Sequence, residues 1–274
     1  VRTMKALAAS SIGQYERSVR ALADYARTVE LGLGVCFRTG GQTALATDRS
    51  GLAGAVGAIV FGSDQGLVGQ FNEVVADYAI EALAARTGKV QVWAVGERVH
   101  ARLADAGLPL AGLFAVPNAI KGVAPLVGRI LVEAEMSLGQ DAPNELHLFH
   151  NRPASGTVYA PVNQRLLPLD EIWRRGLVEL PWPTAKLPEV IAGGRETLRA
   201  LIREYLFVSL FRACAESLAS ENASRLAAMQ RADRNIDELL DDLNGEFRRV
   251  RQNGIDEELF DVIAGFEALT GTRD

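Results

Sequence analysis

The stretch LRALIREYLFVSLFRACAESLASENASRLAAMQRADRNIDELLDDLNGEFRRV, residues 198–250, decides the fold of this 274-residue chain. Alternating steps of three and four residues from Leu198 reach sixteen positions, of which thirteen are apolar. The polar exceptions are Arg212, Asn222 and Asp233. A seven-residue repeat of this length places one apolar stripe on a helix and imposes a left-handed supercoil with a partner helix. No proline interrupts the segment, so we predict a helix over residues 195–270, on the order of 100 Å long.

The start of the chain carries a shorter stripe of the same kind. Its eight members follow alternating steps of four and three residues: Ala8, Ile12, Tyr15, Val19, Leu22, Ala26, Val29 and Leu33. The stripe predicts a helix over residues 1–36 that packs against the C-terminal helix as an antiparallel coiled coil. Gly32 and Gly34 are expected to erode its end, and residues 38–55, rich in Gly, Thr and Ser, are typical of a linker. The chain begins at Val1 without an initiator methionine and already in a helical pattern, so we expect a trimmed N-terminus.

The spacing of apolar residues changes in the middle of the chain. Runs rich in β-branched and aromatic residues predict four strands, at 58–61, 90–95, 113–116 and 145–149. Helical stretches lie between or beside them, at 72–86, 99–106 and 118–138. Strands that alternate with helices predict a parallel sheet with helices on its faces, so residues 56–180 are interpreted as a central α/β, Rossmann-like domain. Residues 157–167 are expected to add an edge strand, and residues 181–194, with three prolines and a closing Gly-Gly pair, to form a linker.

Composition excludes several classes of protein. The formal net charge is -5 and no basic stripe is present, which argues against a nucleic-acid partner. The only cysteines are Cys36 and Cys214, which cannot make a disulfide framework and are interpreted as two buried thiols. No apolar run approaches the roughly 20 residues that span a bilayer, so we expect no direct membrane insertion.

The two predicted helices differ in length, and the difference leaves an apolar end without a partner in the chain. If Leu33 lies beside Leu198, the first helix reaches only to about residue 230 of the second. Residues 259–269, LFDVIAGFEAL, then extend past it. Exposed apolar patches of this kind mark contact with another protein. We therefore predict a partner in trans that covers this end, with a two-fold homodimer as the alternative.

The segment that most resembles an enzyme site is GSDQGLVGQFN, residues 62–72, between a predicted strand and a predicted helix. A glycine-rich turn there can cradle phosphate on backbone N–H groups, but its spacing matches neither the dinucleotide fingerprint nor the P-loop. A turn packed at the sheet edge is the favoured interpretation, and a phosphate- or nucleotide-binding α/β protein with helical dimerisation arms is the alternative. His147 and His150 lie three apart on a predicted strand, face opposite sides and cannot share a metal. We predict no catalytic residue, no metal and no cofactor.

Four short segments match a set of motifs that occur in one known family. TMKALAAS (3–10) resembles T-x-A-M-x-M-V-A-A-S, and SDQGLVGQFN (63–72) resembles S-D-R-G-L-x-G-x-[FY]-N. SLASENASRLAAM (217–229) is similar to S-x-x-S-E-x-x-x-R-M-x-A-M, and RQNGIDEE (251–258) is similar to R-Q-x-x-I-T-x-E. The segments lie in all three regions of the chain in the expected order. By these motifs the chain resembles the gamma, or central-stalk, subunit of F-type rotary ATP synthases.

The resemblance implies a rotor shaft that couples ion flow through the membrane sector to ATP synthesis or hydrolysis and does no bond chemistry itself. The implied partners are the alpha and beta subunits of the catalytic hexamer, the epsilon subunit and the c subunits of the membrane rotor ring. The implied location is peripheral, on the cytoplasmic side of the bacterial inner membrane. Matching of the motifs places the contacts to the beta subunits at Met4, Arg251, Gln252 and Glu258. The implied bearing in the apolar sleeve of the hexamer contains Phe260, Ile263, Phe266 and Leu269.

Three departures from the family motifs stand out. Gln65 replaces an arginine, Asp256 replaces a threonine, and Gly265-Phe266 stands where Gly-Ala is expected. The departures indicate a divergent branch of the family, for which the alternate bacterial type associated with sodium coupling is one candidate. No residue reports on the coupling ion.

Overall fold

The structure is a computed structural model that describes residues 1–39, 55–86, 88–137, 145–155, 157–186, 188–190 and 194–270, without the side chains of 135–137, 157 and 268–270. Its elements are α1 (Arg2–Thr39), β1 (Val56–Phe61), α2 (Phe71–Ala84), β2 (Val90–Val95), α3 (Glu97–Asp105), β3 (Leu110–Phe114), a 3₁₀ turn (Ile120–Gly122), α4 (Val123–Ser137), β4 (Glu145–Ala154), β5 (Thr157–Leu167), α5 (Glu171–Glu179) and α6 (Gly194–Thr270). Most of the predicted linker at 38–55, the predicted helix end at Leu138 and the linker glycine Gly193 lie outside the described residues.

Five strands form one sheet in the order β3-β2-β1-β4-β5. β1 pairs in parallel with β2 and β4, β2 pairs in parallel with β3, and β5 pairs antiparallel with β4. The predicted parallel sheet is therefore confirmed, with an antiparallel strand at one edge, as is common in such sheets. β3 begins three residues before the predicted strand at 113. Every residue of the central strand β1 is buried, because helices cover both of its faces.

The two faces of the sheet pack on different helices, since side chains alternate along each strand. On one face Ala58 and Val60 pack with α2 and α3. On the other face Ile59 and Phe61 pack with α4, with Tyr15 of α1 and with residues of α6 near 210–219. We use the term α/β domain for β1–β5 with α2–α4. The α/β domain is thus fastened to the helix pair through one face of its sheet.

α1 and α6 run antiparallel within the part of the chain from Thr3 to Ala228. A Cβ at Gly32 would lie 3.2 Å from Leu201 Cδ1, and the Tyr25 hydroxyl donates a 2.7 Å hydrogen bond to Glu204 Oε2. Tyr15, farther back along α1, belongs to the same buried cluster as Cys214, farther along α6. None of the eight predicted stripe residues of α1 is exposed. The predicted antiparallel helix pair is confirmed.

The expectation that Gly32 and Gly34 erode the first helix is wrong. α1 continues to Thr39, and Gly34 lies in its buried part. A Cβ at Gly34 would lie 2.4 Å from the carbonyl oxygen of Leu177 in α5. The two glycines therefore serve close packing of α1, and this tertiary demand outweighs their low helix propensity.

The sequence reasoning missed helix α5. Asp170 caps its N-terminus, accepting a 2.7 Å hydrogen bond from the Trp173 amide. Arg38 at the end of α1 donates to the carbonyl oxygen of Val178 at 3.0 Å and so satisfies one of the free carbonyls at the end of α5. Asp170 followed by an acidic first turn was a local signal for this helix.

The chain divides into two compact units. One is Thr3–Ala228, which contains the α/β domain, α5 and the helix pair; the other comprises Val1–Arg2 and the chain from Met229 onward. None of the helices in the described residues is both long enough and apolar enough to cross a membrane.

Candidate functional site

The turn between β1 and α2, residues 62–72, uses its polar side chains within the fold. Asn72 Oδ1 accepts a hydrogen bond from the Ser63 amide at 2.9 Å, and Asn72 Nδ2 donates to Ser63 Oγ at 2.8 Å. Ser63 Oγ in turn donates to the carbonyl oxygen of Gln65 at 2.9 Å. Ser63 is fully buried. This serine is consequently a structural group of the turn, without a free hydroxyl for nucleophilic chemistry.

Asp64 fastens this turn to two neighbouring strand ends. Its Oδ1 accepts from the Glu97 amide at 3.0 Å, at the start of α3, and its Oδ2 accepts from the Val116 amide at 2.8 Å, after β3. A carboxylate at the centre of the turn also repels a phosphate by Coulomb interaction. The turn closes against α6, where Ser224 Oγ donates to the carbonyl oxygen of Val68. The phosphate-binding alternative is therefore not favoured, and the turn is packed into the fold.

A guanidinium approaches the turn where the family motif has its arginine. Gln65 occupies that position here, and a Cβ at the adjacent Gly66 would lie 3.7 Å from Arg98 Nη2. Arg98 belongs to α3, and its amide donates to the carbonyl oxygen of Ser63 at 3.0 Å. The cation near this turn thus comes from a neighbouring helix.

His147 and His150 lie on β4 and face opposite sides of the sheet, as predicted. His147 stacks on Phe149, which packs with α2 and α3, and its ring nitrogens lie 3.0 Å from Asn163 Oδ1 and 3.1 Å from Glu145 Oε2. His150 faces α6, with Nε2 2.9 Å from Glu216 Oε2. Within the described ranges, no three His, Cys, Asp or Glu residues come together in a way that could hold a metal ion.

The pKa values of two buried carboxylates on α6 are shifted in opposite directions. Burial by itself raises the pKa of Glu216, but hydrogen bonds from His150 and Arg212 outweigh it, so the pKa lies below its ordinary value. Burial raises the pKa of Glu221 above its ordinary value, although Arg225 donates to it at 2.6 Å. Glu221 is the glutamate of the motif at 217–229, whereas sequence reasoning did not single out Glu216. The signal for Glu216 was its i, i+4 spacing with Ser220 and Ser224 beside the apolar stripe.

A cavity of about 340 Å³ lies between the last turns of α1, the first turns of α6 and the segment after α5. Trp182, Val190 and Leu201 contribute to its lining, as does Cys36. Burial raises the pKa of the Cys36 thiol, which disfavours the nucleophilic thiolate. Cys36 and Cys214 are both buried and free, as predicted. The Cys36 thiol in this cavity is therefore not activated as a nucleophile.

The unit from Met229 onward has a different character, because its apolar side chains are exposed. We call residues 236–267 of α6 the exposed segment. The stripe residue Met229 is 4% exposed, whereas the later stripe residues Leu243 and Phe247 are 60% and 66% exposed. Further large apolar side chains of the segment that are more than half exposed are Leu239, Leu240, Val250, Ile255, Leu259, Phe260, Val262 and Phe266.

The residues that the family motifs single out lie on α1 and on the exposed segment. Met4 is half-buried on α1, and Arg251, Gln252 and Glu258 are exposed. The bearing residues Phe260, Ile263 and Phe266 are 68%, 45% and 67% exposed. The side chain of Leu269 lies outside the described residues.

Comparisons with known proteins agree with this architecture. The family model described as ATP synthase matches residues 1–269. The ATP synthase gamma chain of Synechococcus sp. (strain JA-2-3B'a(2-13)) is 31% identical over 243 residues, which cover 78% of this chain and 76% of that relative. The ATP synthase gamma chain of Clavibacter sepedonicus is 27% identical over 282 residues, which cover 99% of this chain and 93% of that relative.

The fold also matches a solved structure. A chain from the cryo-EM structure of the central stalk and c-ring of Tetrahymena thermophila mitochondrial ATP synthase superposes with a TM-score of 0.58 at 18% identity. The match covers 85% of this chain and 98% of that chain. At this identity the likeness concerns the fold alone.

Proposed function

The chain belongs to the ATP synthase gamma chain family, and on that premise we propose which of its surfaces perform the family's role. Its function is that of the central rotor shaft of an F-type ATP synthase, which by rotation couples ion flow through the membrane sector to ATP synthesis or hydrolysis in the alpha–beta hexamer. The divergent branch of the family stays a prediction from the sequence.

The exposed segment of α6 is the observation that supports the assignment of surfaces. A helix that presents this much apolar surface is unfavourable in water and marks contact with another protein. The alpha–beta hexamer is the partner we assign to it. Burial of apolar surface is non-directional, so a shaft held by apolar contacts turns with less resistance than one held by fixed ion pairs.

We assign two kinds of contact to the C-terminal part of α6 and the start of α1. Phe260, Ile263, Phe266 and Leu269 form the bearing that turns in an apolar sleeve of the hexamer. Met4, Arg251, Gln252 and Glu258 contact the catalytic beta subunits. Asp256, where the family has threonine, weakens the assignment of its immediate neighbourhood.

The α/β domain and the ends of α1 and α6 near it are the proposed foot of the rotor. There the chain contacts the epsilon subunit and the c subunits of the membrane rotor ring, on the cytoplasmic side of the bacterial inner membrane and without inserting into it. The chain performs no bond chemistry itself. The internal hydrogen bonds of Ser63, Asp64 and Asn72 support this, because they occupy the polar groups of the segment that most resembles an enzyme site.

Co-expression of the full chain with the alpha and beta subunits tests the assignment. We expect a single complex that contains all three subunits and is larger than the alpha–beta hexamer alone, measured by size-exclusion chromatography with light scattering. The control is the same chain with Leu259→Asp, Val262→Asp and Phe266→Asp, which places charge on the exposed segment and is expected to abolish incorporation. A homodimer of the free chain that ignores alpha and beta subunits contradicts the proposal, and so does tight stoichiometric binding of ATP at residues 62–72.

A further inference from the structure

Buried polar side chains are concentrated on one short stretch of α6. Of the twelve polar residues that are buried in the described part of the chain, seven lie between residues 209 and 224 of this helix. They are Ser209, Glu216, Ser217, Ser220, Glu221, Asn222 and Ser224. Burying polar groups costs free energy unless they find partners, so a helix that packs on a sheet normally presents an apolar face. The stability of the fold alone therefore does not explain why these polar side chains are buried here.

One of its contacts joins α6 to the sheet. Glu216 Oε2 lies 2.9 Å from His150 Nε2 on β4, and Glu216 Oε1 accepts a 2.8 Å hydrogen bond from Arg212 Nε. An ionised carboxylate only accepts hydrogen bonds, so His150 donates from Nε2. The side chains of His150 and Glu216 are 3% and 9% exposed, while that of Arg212 is 59% exposed. Arg212 thus holds the carboxylate from the solvent side and leaves the second oxygen directed at β4.

A second polar contact lies eight residues farther along the same helix. Ser224 Oγ donates to the carbonyl oxygen of Val68 in the turn between β1 and α2. Eight residues correspond to about 12 Å along a helix axis, so the two contacts are well separated. They connect α6 to different elements, the middle of β4 and the turn after β1. Two separated, directional contacts restrict both rotation and sliding, which one contact alone does not.

The packing around these contacts is apolar and by itself sets the angle poorly. Leu210, Ala213 and Leu218 of α6 pack with the sheet in a buried cluster. Apolar burial is non-directional and tolerates rearrangement among side chains of similar size. Hydrogen bonds weaken steeply when their geometry departs from alignment. The polar contacts are therefore the groups that discriminate between nearby angular settings of the sheet on the helix.

We infer that His150 and Glu216, with Arg212 orienting the carboxylate, form a joint that fixes the angular position of the α/β domain about α6. These are positioning residues, and they act on torque only through the geometry of the two elements. The inference rests on the proposed function for its consequence: torque that enters at the foot passes to α6 through this contact. The pairing itself is a property of the chain and is testable without the rest of the complex.

The test measures how precisely the α/β domain is oriented on α6 and, separately, how stable the folded chain is. Spin labels are placed on the full chain at two exposed sites, Ala84→Cys on α2 and Ala200→Cys on α6, and their distance distribution is measured by pulsed electron paramagnetic resonance. The test variant carries His150→Phe with Glu216→Met, and the matched control carries the same exchanges outside the joint, His100→Phe with Glu81→Met. Replacing both partners of a buried hydrogen bond by apolar residues of similar size is often nearly neutral for folding, so the test variant is expected to fold.

The expected result is a broadened or displaced distance distribution in the test variant at an unchanged unfolding midpoint, with the control identical to the parent chain. An unchanged distribution in the folded test variant overturns the inference. Should that variant fail to fold, His150→Phe alone decides in the same way, because it keeps an aromatic ring in the sheet and removes the donor to Glu216. A narrow, parent-like distribution in folded His150→Phe then overturns the inference.

The assembled complex supplies the functional readout. We expect variants of the joint to keep ATP hydrolysis while ATP-driven ion pumping falls, and the control to keep both. Equal pumping by the test variant and the parent overturns the role in torque. If the parent chain does not assemble with alpha and beta subunits, the proposed function fails, while the distance measurement on the free chain still decides whether the joint exists.

Discussion

Two stretches of the same helix reverse the usual relation between polarity and exposure. Residues 209–224 of α6 bury seven polar side chains, whereas residues 236–267 expose most of their large apolar ones. The seven-residue stripe runs from Leu198 through the first stretch and into the second as far as Val250, with polar residues only at Arg212, Asn222 and Asp233. A repeat of this kind predicts which face of a helix packs against a partner. It does not predict whether that partner belongs to the same chain. The first stretch packs within the chain, and for the second we propose another protein as the partner.

The largest expected effect contrasts one leucine from each stretch. Leu210 is fully buried, and Leu210→Ala is expected to lower the free energy of unfolding by about 2–5 kcal/mol, since it removes packed methyl groups and leaves a cavity. Leu243 is 60% exposed, so Leu243→Ala is expected to stay within about 0.5 kcal/mol. Urea unfolding of the free chain, followed by far-UV circular dichroism, measures both. Equal losses for the two variants would mean that Leu243 is covered within the free chain.

A pair of glycines sharpens the same contrast. A Cβ at Gly34 would lie 2.4 Å from a backbone carbonyl oxygen of α5, so Gly34→Ala is expected to cost about 1–3 kcal/mol through overpacking. A Cβ at Gly245 would meet nothing within 4 Å, so Gly245→Ala is expected to stabilise the helix by about 1 kcal/mol through its better helix propensity. Opposite signs in thermal unfolding are the expected result. A stabilising Gly34→Ala would contradict the close approach of α1 to α5.

These two glycines also indicate what the sequence could and could not predict. Local pattern and period sufficed for the stripe of α1, for β2 at 90–95 and for β5 at 157–167, because each follows from residues near one another in the chain. They failed at Gly34, where a carbonyl from residue 177 dictates a residue without a side chain. The contact between His150 and Glu216 escaped for the same reason, since it joins residues 66 apart. The composition of a segment predicts the conformation of its own backbone. It does not predict which atoms from distant parts of the chain pack against it.

The two buried carboxylates, Glu216 and Glu221, are expected to affect the pH dependence of the free energy of unfolding in opposite directions. The folded pKa of Glu216 lies below its ordinary value, so this residue contributes stability that is complete above the ordinary glutamate pKa and is lost as pH falls through the folded pKa. The folded pKa of Glu221 is raised by burial, so its ionisation opposes folding at neutral pH and protonation removes that penalty. Glu216→Gln is therefore expected to flatten the loss of stability between neutral and acid pH, and Glu221→Gln to steepen it. Urea midpoints at several pH values from neutral into the acid range measure both slopes, with Glu238→Gln on the exposed segment as the control. Parallel slopes for the two buried variants would contradict the opposite settings of the two carboxylates.

The smallest effect on the free chain is expected from the most drastic change. Deletion of residues 260–274 removes Phe260, Val262 and Ile263, whose side chains are 68%, 70% and 45% exposed. Because a helix end that buries so little contributes little to folding, the unfolding midpoint of the shortened chain is expected to match that of the parent. In the complex the same deletion is expected to weaken assembly with alpha and beta subunits or the coupling of ATP hydrolysis to ion pumping. Intact assembly and coupling after the deletion would remove the bearing role from these residues, since a surface that stabilises neither the chain nor the complex has no partner.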